Sequence, residues 1–442
     1  MPVTDQKYFT GDSAVKLAAA LEQGIHKGAL APGENLPTIR QLAASNSISP
    51  ATVSSAFRLL RSRGLIVADG RRGTRVAGPT AGFTEVPLII PPGVRNLADG
   101  NPDPSLLANL RSALRSVSTA PRLYSDELNF APLTALAREK FGVDHIHTGS
   151  VAIVGGALDG IERVLREYLR PGDRVAVEDP CFSGILDLLH ASSLAPQAVG
   201  TDANGIVPES LQRVLRTGTT ALIVTPRAQN PTGAAFTLRR SADLRRVLAS
   251  HPEVLVIEDD HAGSIAGSTY HTLSDSSRGR WAVLRSVSKA LGPDLRLAFL
   301  AGDVTTLARV EGRQSTGIRW VSHILQQTVF SLLTSPGREA SLARAAKSYA
   351  DKRAALLNAL REHGIAATGK TGLNVWIPVS DESGIVAALL DRDWAIRKGE
   401  PYRLNSAPAV RVTISQLHPR EAVRFAADFA EVVRSRARTP GA

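Results

Sequence analysis

Two kinds of hydrophobic spacing divide this chain. Between residues 14 and 27, Val15, Leu17, Ala18, Leu21 and Ile25 recur at helical intervals. Gly28 and Pro32-Gly33 end that run. Thr38 can cap a second, short helix with Ile39, Leu42 and Ala43 facing inward. Asn46 and Ser47 make a turn, and Ser49 caps a third helix with Pro50 at its favoured first position. Val53, Ala56, Phe57 and Leu60 form the apolar stripe of that helix, and Gly64 ends it. The short β runs Leu65-Ile66-Val67 and Thr74-Arg75-Val76 flank Asp69-Gly70-Arg71-Arg72-Gly73, which predicts a hairpin with an arginine-bearing tip. Three helices and a hairpin predict a winged helix over residues 8–78.

The periodicity then stops. Pro79, Pro87, Pro91 and Pro92, with several glycines, predict an extended connector over 79–98. From Asp99 onward, short apolar runs alternate with helical stretches. Val151-Ala152-Ile153-Val154, Arg174-Val175-Ala176-Val177, Ala221-Leu222-Ile223-Val224 and Val254-Leu255-Val256-Ile257 are the runs; 157–169 and 239–248 are among the helical stretches. This predicts an α/β fold with a large, mostly parallel sheet and a smaller C-terminal part over 99–437. Polar residues follow the runs directly, where strand C-termini open into a ligand crevice.

A chain of 442 residues is too long for one ordinary core. Its 43% hydrophobic and 21% charged content fits a soluble globular protein. No uncharged apolar run is long enough to span a bilayer, and Met1-Pro2-Val3-Thr4-Asp5 lacks the basic and apolar regions of a secretory leader. The single cysteine, Cys181, excludes an internal disulfide and fits a reducing compartment, so the cytoplasm is expected. No metal site is expected. The net charge of +11 favours phosphate-bearing partners without specifying nucleic acid. Its distribution says more: residues 40 to 75 hold seven arginines and one acid, Asp69.

On a winged helix such a basic face fits operator DNA better than a helical protein–protein module or a merely solvated surface. The third helix would enter the major groove with Ser49, Ala51, Thr52 and Ser55 near the bases. Arg40, and Arg71 and Arg72 at the wing tip, would reach phosphate or the minor groove. These residues resemble the GntR family of bacterial winged-helix regulators. The resemblance runs over about residues 10–78 and rests on Leu36-Pro37, Arg40, Leu42-Ala43, Thr52-Val53, Leu60, Gly64, Gly73-Thr74 and Val76. Pro50 stands where family members often carry an arginine, which removes one DNA contact.

Downstream, the ordered residues match the needs of pyridoxal 5'-phosphate (PLP): a lysine for an imine, an acid to hold the ring nitrogen protonated, and donors for the phosphate. Lys289, in Ser286-Val287-Ser288-Lys289, is the imine candidate, and Asp259 is the acid. Asn230, in Asn230-Pro231-Thr232-Gly233, can donate to the ring hydroxyl, and Phe182 can stack on the ring. Ser286, Ser288, Arg296 and the amides of Gly155, Gly156 and Ala157 at a helix start can bind phosphate. Singly each has a plainer meaning. Asn-Pro-Thr-Gly is a common turn, Glu258-Asp259-Asp260 a cap or solvated acid cluster, Gly155-Gly156 a helix cap and Phe182 core. Their order and spacing give the set its weight.

That set resembles the fold-type I PLP enzymes, the aspartate aminotransferase superfamily, over about residues 97–437. The resemblance implies that Lys289 is the Schiff-base lysine, Asp259 the pyridinium partner, Asn230 the ring-hydroxyl donor and Phe182 the stacking aromatic. It makes Ser286 and Arg296 phosphate ligands and Tyr124 a tyrosine that reaches the neighbouring subunit's phosphate. Arg411, in Ala409-Val410-Arg411-Val412-Thr413, would clamp a substrate or effector carboxylate. His261 stands where a tyrosine is usual, so its protonation would tune the site near neutral pH. Gly155 stands where a hydroxyl residue is common. No second arginine follows Phe182 to shape an amino-acid pocket.

A GntR head on such a body resembles the MocR/GabR family of transcription regulators, with Asp99-Gly100-Asn101-Pro102-Asp103-Pro104, Glu178-Asp179-Pro180-Cys181-Phe182 and Asp259-Asp260-His261 closest to its PtsJ-like branch. The resemblance implies a head-to-tail homodimer that binds PLP and operator DNA. It would control genes of vitamin B6, amino-acid or amine metabolism, with PLP or an amino-acid or amine effector sensed through the lysine imine, and the body would serve sensing rather than turnover, with room for residual half-transamination. Two alternatives remain at this point: a working aminotransferase with an accessory head, and a PLP storage or salvage partner without operator specificity.

Overall fold

The computed structural model of the chain describes residues 6–62, 65–68, 73–77, 88–274 and 278–437. Gly64 and the wing-tip residues Arg71 and Arg72 lie outside them. The chain divides into two compact units, a small N-terminal one and a larger one.

In the N-terminal unit α1 (Ala14–His26), α2 (Ile39–Ser45) and α3 (Pro50–Ser62) precede an antiparallel pair, β1 (Ile66–Ala68) and β2 (Thr74–Val76). Side chains fix the helix starts. Ser13 accepts the Lys16 amide, Thr38 and Gln41 form a reciprocal capping box, and Ser49 Oγ accepts the Thr52 amide at 3.1 Å. Leu17, Leu21, Leu42, Val53, Phe57 and Ile66 are among the residues that pack into one core. Val15 departs from expectation and is 68% exposed. At about 100° per residue it lies well off the stripe centred on Leu17, Leu21 and Ile25.

The expected connector is structured before its end. The strand β3 (Arg95–Asn96) pairs in parallel with Trp394–Ala395, and Leu97 and Ala98 are buried. Residues 95–98 therefore belong to the larger unit, since burying Leu97 satisfies both its apolar side chain and its amide, which donates to the Ala395 carbonyl at 2.8 Å.

The larger unit is built on an eight-stranded sheet. In chain order its strands are β4 (Ala152–Val154), β5 (Arg174–Asp179), β6 (Ala195–Asp202), β7 (Gly205–Ile206), β8 (Ala221–Val224), β9 (Leu255–Asp260), β10 (Trp281–Ser286) and β11 (Ala298–Gly302). They lie in the order β4-β11-β10-β9-β8-β5-β6-β7. β5, β8, β9 and β10 are parallel neighbours, and β11 runs against β10 and β4. β8 is buried along its whole length, as a parallel strand covered on both faces must be.

A second core lies around the antiparallel sheet β12 (Asn374–Pro378), β15 (Ala409–Thr413), β14 (Arg397–Lys398), with β13 (Trp394–Ala395) on β3. The helices Arg338–Glu362 and Pro419–Ala437 pack there. Among the described residues, no helix is long and apolar enough to cross a membrane.

Candidate functional site

Sheet register gathers the phosphate-type residues. Val154 on β4 pairs with Ala298 on β11, which pairs with Ser286 on β10. The turns beyond these residues therefore lie side by side: Gly155–Ala157, Arg296–Leu297 and Ser286–Ser288. Gly156 caps the helix Ala157–Tyr168 with φ 116°, and a Cβ there would stand 3.0 Å from Arg296 Nη2. Only glycine lets the guanidinium come so close to a helix N-terminus. Ser286 Oγ donates to Ser288 Oγ at 3.1 Å and accepts the Ser288 amide at 3.2 Å. The Gly155 amide is engaged otherwise than expected. It donates to Asp159 Oδ2 at 2.8 Å, because that carboxylate folds back over the first helical turn.

Strand alternation sorts the three acids at the end of β9. Contrary to a cap or solvated cluster, all three are buried in the strand. Glu258 accepts from Tyr270, Thr272 and Ser274 hydroxyls and from the Leu273 and Ser274 amides. Asp260 takes a two-pronged bond from Arg227, both at 2.8 Å, and a third from Arg285 at 2.6 Å. Those cations hold its carboxyl well below the usual range despite burial. Asp259 faces the other way. Its Oδ1 is buried with no hydrogen-bond partner among the described residues, and burial followed by the charge of Asp260 pushes its pKa up to about 7.

Three cations meet the segment after β3, two at backbone carbonyls and one at a carboxylate. Lys289 Nζ donates to the Gly100 carbonyl at 2.6 Å, and Arg411 Nη2 donates to the Ala98 carbonyl. Arg397 Nη2 stands 3.7 Å from Asp99 Oδ1. Arg411 is 2% exposed and lies over the Tyr402 ring at 4.8 Å. Arg397 pairs directly with Arg411 across β14 and β15, so both side chains share one face. This is a second arginine beside the expected clamp, overlooked because no local motif announces a cross-strand pair.

The remaining expected residues fall around this group. Asn230 Oδ1 accepts from Arg411 Nη1 and Asn374 Nδ2, both at 3.3 Å, which leaves Asn230 Nδ2 as its donor end. Phe182 is half-buried against Trp376, Tyr402 and Ala409. Burial, then the Lys289 charge, lowers the His261 pKa to about 4. In the cofactor-free protein its ring is therefore neutral near pH 7, partly because the Lys289 charge stands beside it. Tyr124 is not brought to this group. It is 77% exposed and stacks on Trp320 at 5.8 Å, with Arg319 over its ring at 5.3 Å.

These residues fit pyridoxal 5'-phosphate. The partnerless Asp259 Oδ1 suits a protonated ring nitrogen, the Gly156–Arg296 cradle suits a phosphate, and Lys289 is a half-buried amine. In the head, Ser49, Ala51 and Arg40 are exposed, and Thr52 and Ser55 are half-buried on α3. Ser49 Oγ also meets Thr52 Oγ1 at 2.9 Å, so its hydroxyl serves the cap.

Residues 100–429 match the aminotransferase class I and II family, and residues 13–76 match the bacterial regulatory proteins of the gntR family. The chain is a MocR/GabR-type regulator. It is 38% identical over 428 residues to the vitamin B6 salvage pathway transcriptional repressor PtsJ of Salmonella typhimurium, covering 95% of this chain and 98% of that protein. It is 25% identical to the pyridoxine biosynthesis transcriptional regulator PdxR of Corynebacterium glutamicum, over 81% of each. The fold is that of LysN, an α-aminoadipate aminotransferase of Thermus thermophilus, with a TM-score of 0.69 and 22% identity over 78% of this chain and 93% of that one. As in MocR/GabR regulators, a gntR-type segment and an aminotransferase-type segment share one chain.

Proposed function

We propose that this regulator binds operator DNA through its N-terminal unit and reads PLP, or an amino compound joined to it, in its larger unit, without net turnover. The observation that carries the reading is the short strap Ala98–Gly100. Two carbonyls and one carboxylate of this strap hold the three pocket cations. The strap also continues directly from the segment that leads out of the head.

When bound, PLP supplies an aldehyde for an amine and an electron-withdrawing ring. Lys289 would exchange the Gly100 carbonyl for the cofactor. Asp259 would hold a proton for the ring nitrogen, Arg296 and the Gly156–Ala157 turn would hold the phosphate, and His261 and Asn230 Nδ2 would serve the ring hydroxyl. A ligand carboxylate on Arg411 displaces the Ala98 carbonyl. Each event frees part of the strap, and the head responds through the chain that joins them.

PLP itself is the favoured effector, acting on genes of vitamin B6 metabolism in the cytoplasm; similarity to a B6 salvage repressor and a B6 biosynthesis regulator supports this. The exposed Tyr124–Trp320 pair supports a homodimer in which Tyr124 reaches the partner's phosphate. Binding of a gntR-type dimer to two half-sites follows. The test is a gel shift on the intergenic DNA beside the gene, with and without PLP. Operator affinity should change with PLP in the wild type and not in Lys289→Ala. Equal affinity in all four conditions overturns the reading.

One observation favours a second reading, a working aminotransferase: Lys289, Asp259, Asn230 and Arg411 are all present together. Sustained keto-acid formation from an amino donor and a keto-acid acceptor would establish it.

A further inference from the structure

We infer that the larger unit carries a second anion site, for a small phosphate monoester, at the start of the long helix Arg338–Glu362. A cavity of about 380 Å³ opens there between residues 105–113 and 331–344, and none of the PLP-site residues lines it. The helix has 25 residues, and its N-cap, Gly337, supplies no side-chain cap. Its first amide donates to the Ser335 carbonyl at 3.1 Å, and Glu339 is the acid of its first turn, so the helix start adds only its dipole to the cavity.

Arg338 gives the independent indication of a ligand. It lines the cavity, is only 7% exposed, and its Nε is buried with no hydrogen-bond partner among the described residues. Its Nη2 donates to the Ala290 carbonyl at 2.6 Å. Glu339, the acid that acts on it, is 77% exposed and pairs with Lys140 at 2.9 Å. Burial lowers the Arg338 pKa from the ordinary guanidinium range, as expected of a cation that lacks a full counter-charge. A buried charge of this kind is costly until an anion meets it.

The donor set selects phosphate. Arg344 stands at the same cavity with Ser105, Ser112 and Ser335, so guanidinium and hydroxyl groups approach from separate segments. A carboxylate has two oxygens in one plane; a phosphate monoester has three in a tetrahedral spread, which such a set can use. The volume leaves room for the organic part of the ester. Occupancy also reaches the first site, since Arg338 holds the carbonyl of Ala290, the residue after Lys289. An anion that draws the guanidinium away alters the turn that positions the imine lysine.

The test uses the full-length protein loaded with PLP and reduced with borohydride, which fills the cofactor's phosphate cradle. Calorimetric titration with inorganic phosphate and with glycerol 3-phosphate should give one equivalent per chain, with the ester tighter. Arg338→Met should weaken this about tenfold or more, as loss of a charge-assisted bond requires. Arg338→Lys should recover part of it, with unchanged circular dichroism. If Arg338→Met does not fold, Arg344→Met at the exposed rim should still weaken binding several-fold. No heat at millimolar phosphate overturns the site. Malonate binding as tightly as phosphate overturns the phosphate assignment. Loss in Arg296→Met with Arg338→Met unaffected places the anion in the cofactor cradle and overturns the proposal.

Discussion

Asp259→Asn should make the cofactor-free protein more stable while weakening its hold on PLP. The Asp259 carboxyl is buried with one oxygen unpartnered, and its pKa rises from an ordinary 3.8 to about 7. The folded state therefore keeps a proton that the unfolded chain has lost, and wild-type stability falls as pH rises from about 4 to about 7. Three units at 1.36 kcal/mol each give about 4 kcal/mol as the full cost above pH 7. The asparagine has the same shape and no charge to bury, so it should stabilise the cofactor-free protein by about 2–4 kcal/mol at pH 8. Near pH 4, where the folded carboxyl is protonated and the unfolded one only partly ionised, the difference should largely vanish. PLP reverses the sign, because a protonated ring nitrogen turns the aspartate charge from a burden into a paired ion. Urea unfolding by tryptophan fluorescence from pH 4 to 8, with and without PLP, measures both effects. The reasoning fails if the variant is no more stable than wild type at pH 8, or if PLP stabilises both equally.

Other outcomes follow from the same geometry. Lys289→Ala should lose the borohydride-reducible link to PLP, read by mass spectrometry; a fixed cofactor at a single site in that variant refutes the assignment. Arg71→Ala with Arg72→Ala should weaken binding to all DNA sequences and flatten its salt dependence; an unchanged slope in fluorescence anisotropy removes the wing from the interface. Arg411→Ala should keep PLP binding but shift basal DNA affinity, because it releases the Ala98 carbonyl; with PLP as sole effector, the further response to PLP should remain. An amino acid that shifts operator affinity only when Arg411 is present would show the effector to be that amino acid. Tyr124→Ala should shift the protein toward monomer in light scattering and weaken PLP retention; a dimer with undiminished PLP affinity removes Tyr124 from the partner's site.

The head was legible because its determinants are local. Thr38 and Ser49 cap helices within three residues of themselves, and the Val53, Phe57, Leu60 stripe needs only helical periodicity. Val15 was misjudged because its angular position on the helix outweighs its hydrophobicity. In the body, the order of Asn230, Asp259, Lys289 and Arg296 was enough to suggest a cofactor pocket, since each stands just beyond an apolar run or in a turn. The sequence by itself thus determined the two units, the alternation of strand and helix, and the residue types available for chemistry.

Tertiary structure decided how those groups are set. Burial makes His261 neutral and raises Asp259, while the arginines from β10 and from the loop after β8 lower Asp260, one residue away. Cross-strand register sets Arg397 beside Arg411, fourteen positions on, and chain closure brings Ala98–Gly100 onto Lys289 and Arg411 across most of the body. The contact between Arg338 and the Ala290 carbonyl likewise joins residues 48 apart. Local sequence codes for periodicity and caps. Electrostatic environment and long-range pairing depend on which distant segments exclude water from the same place, and only the folded chain specifies that.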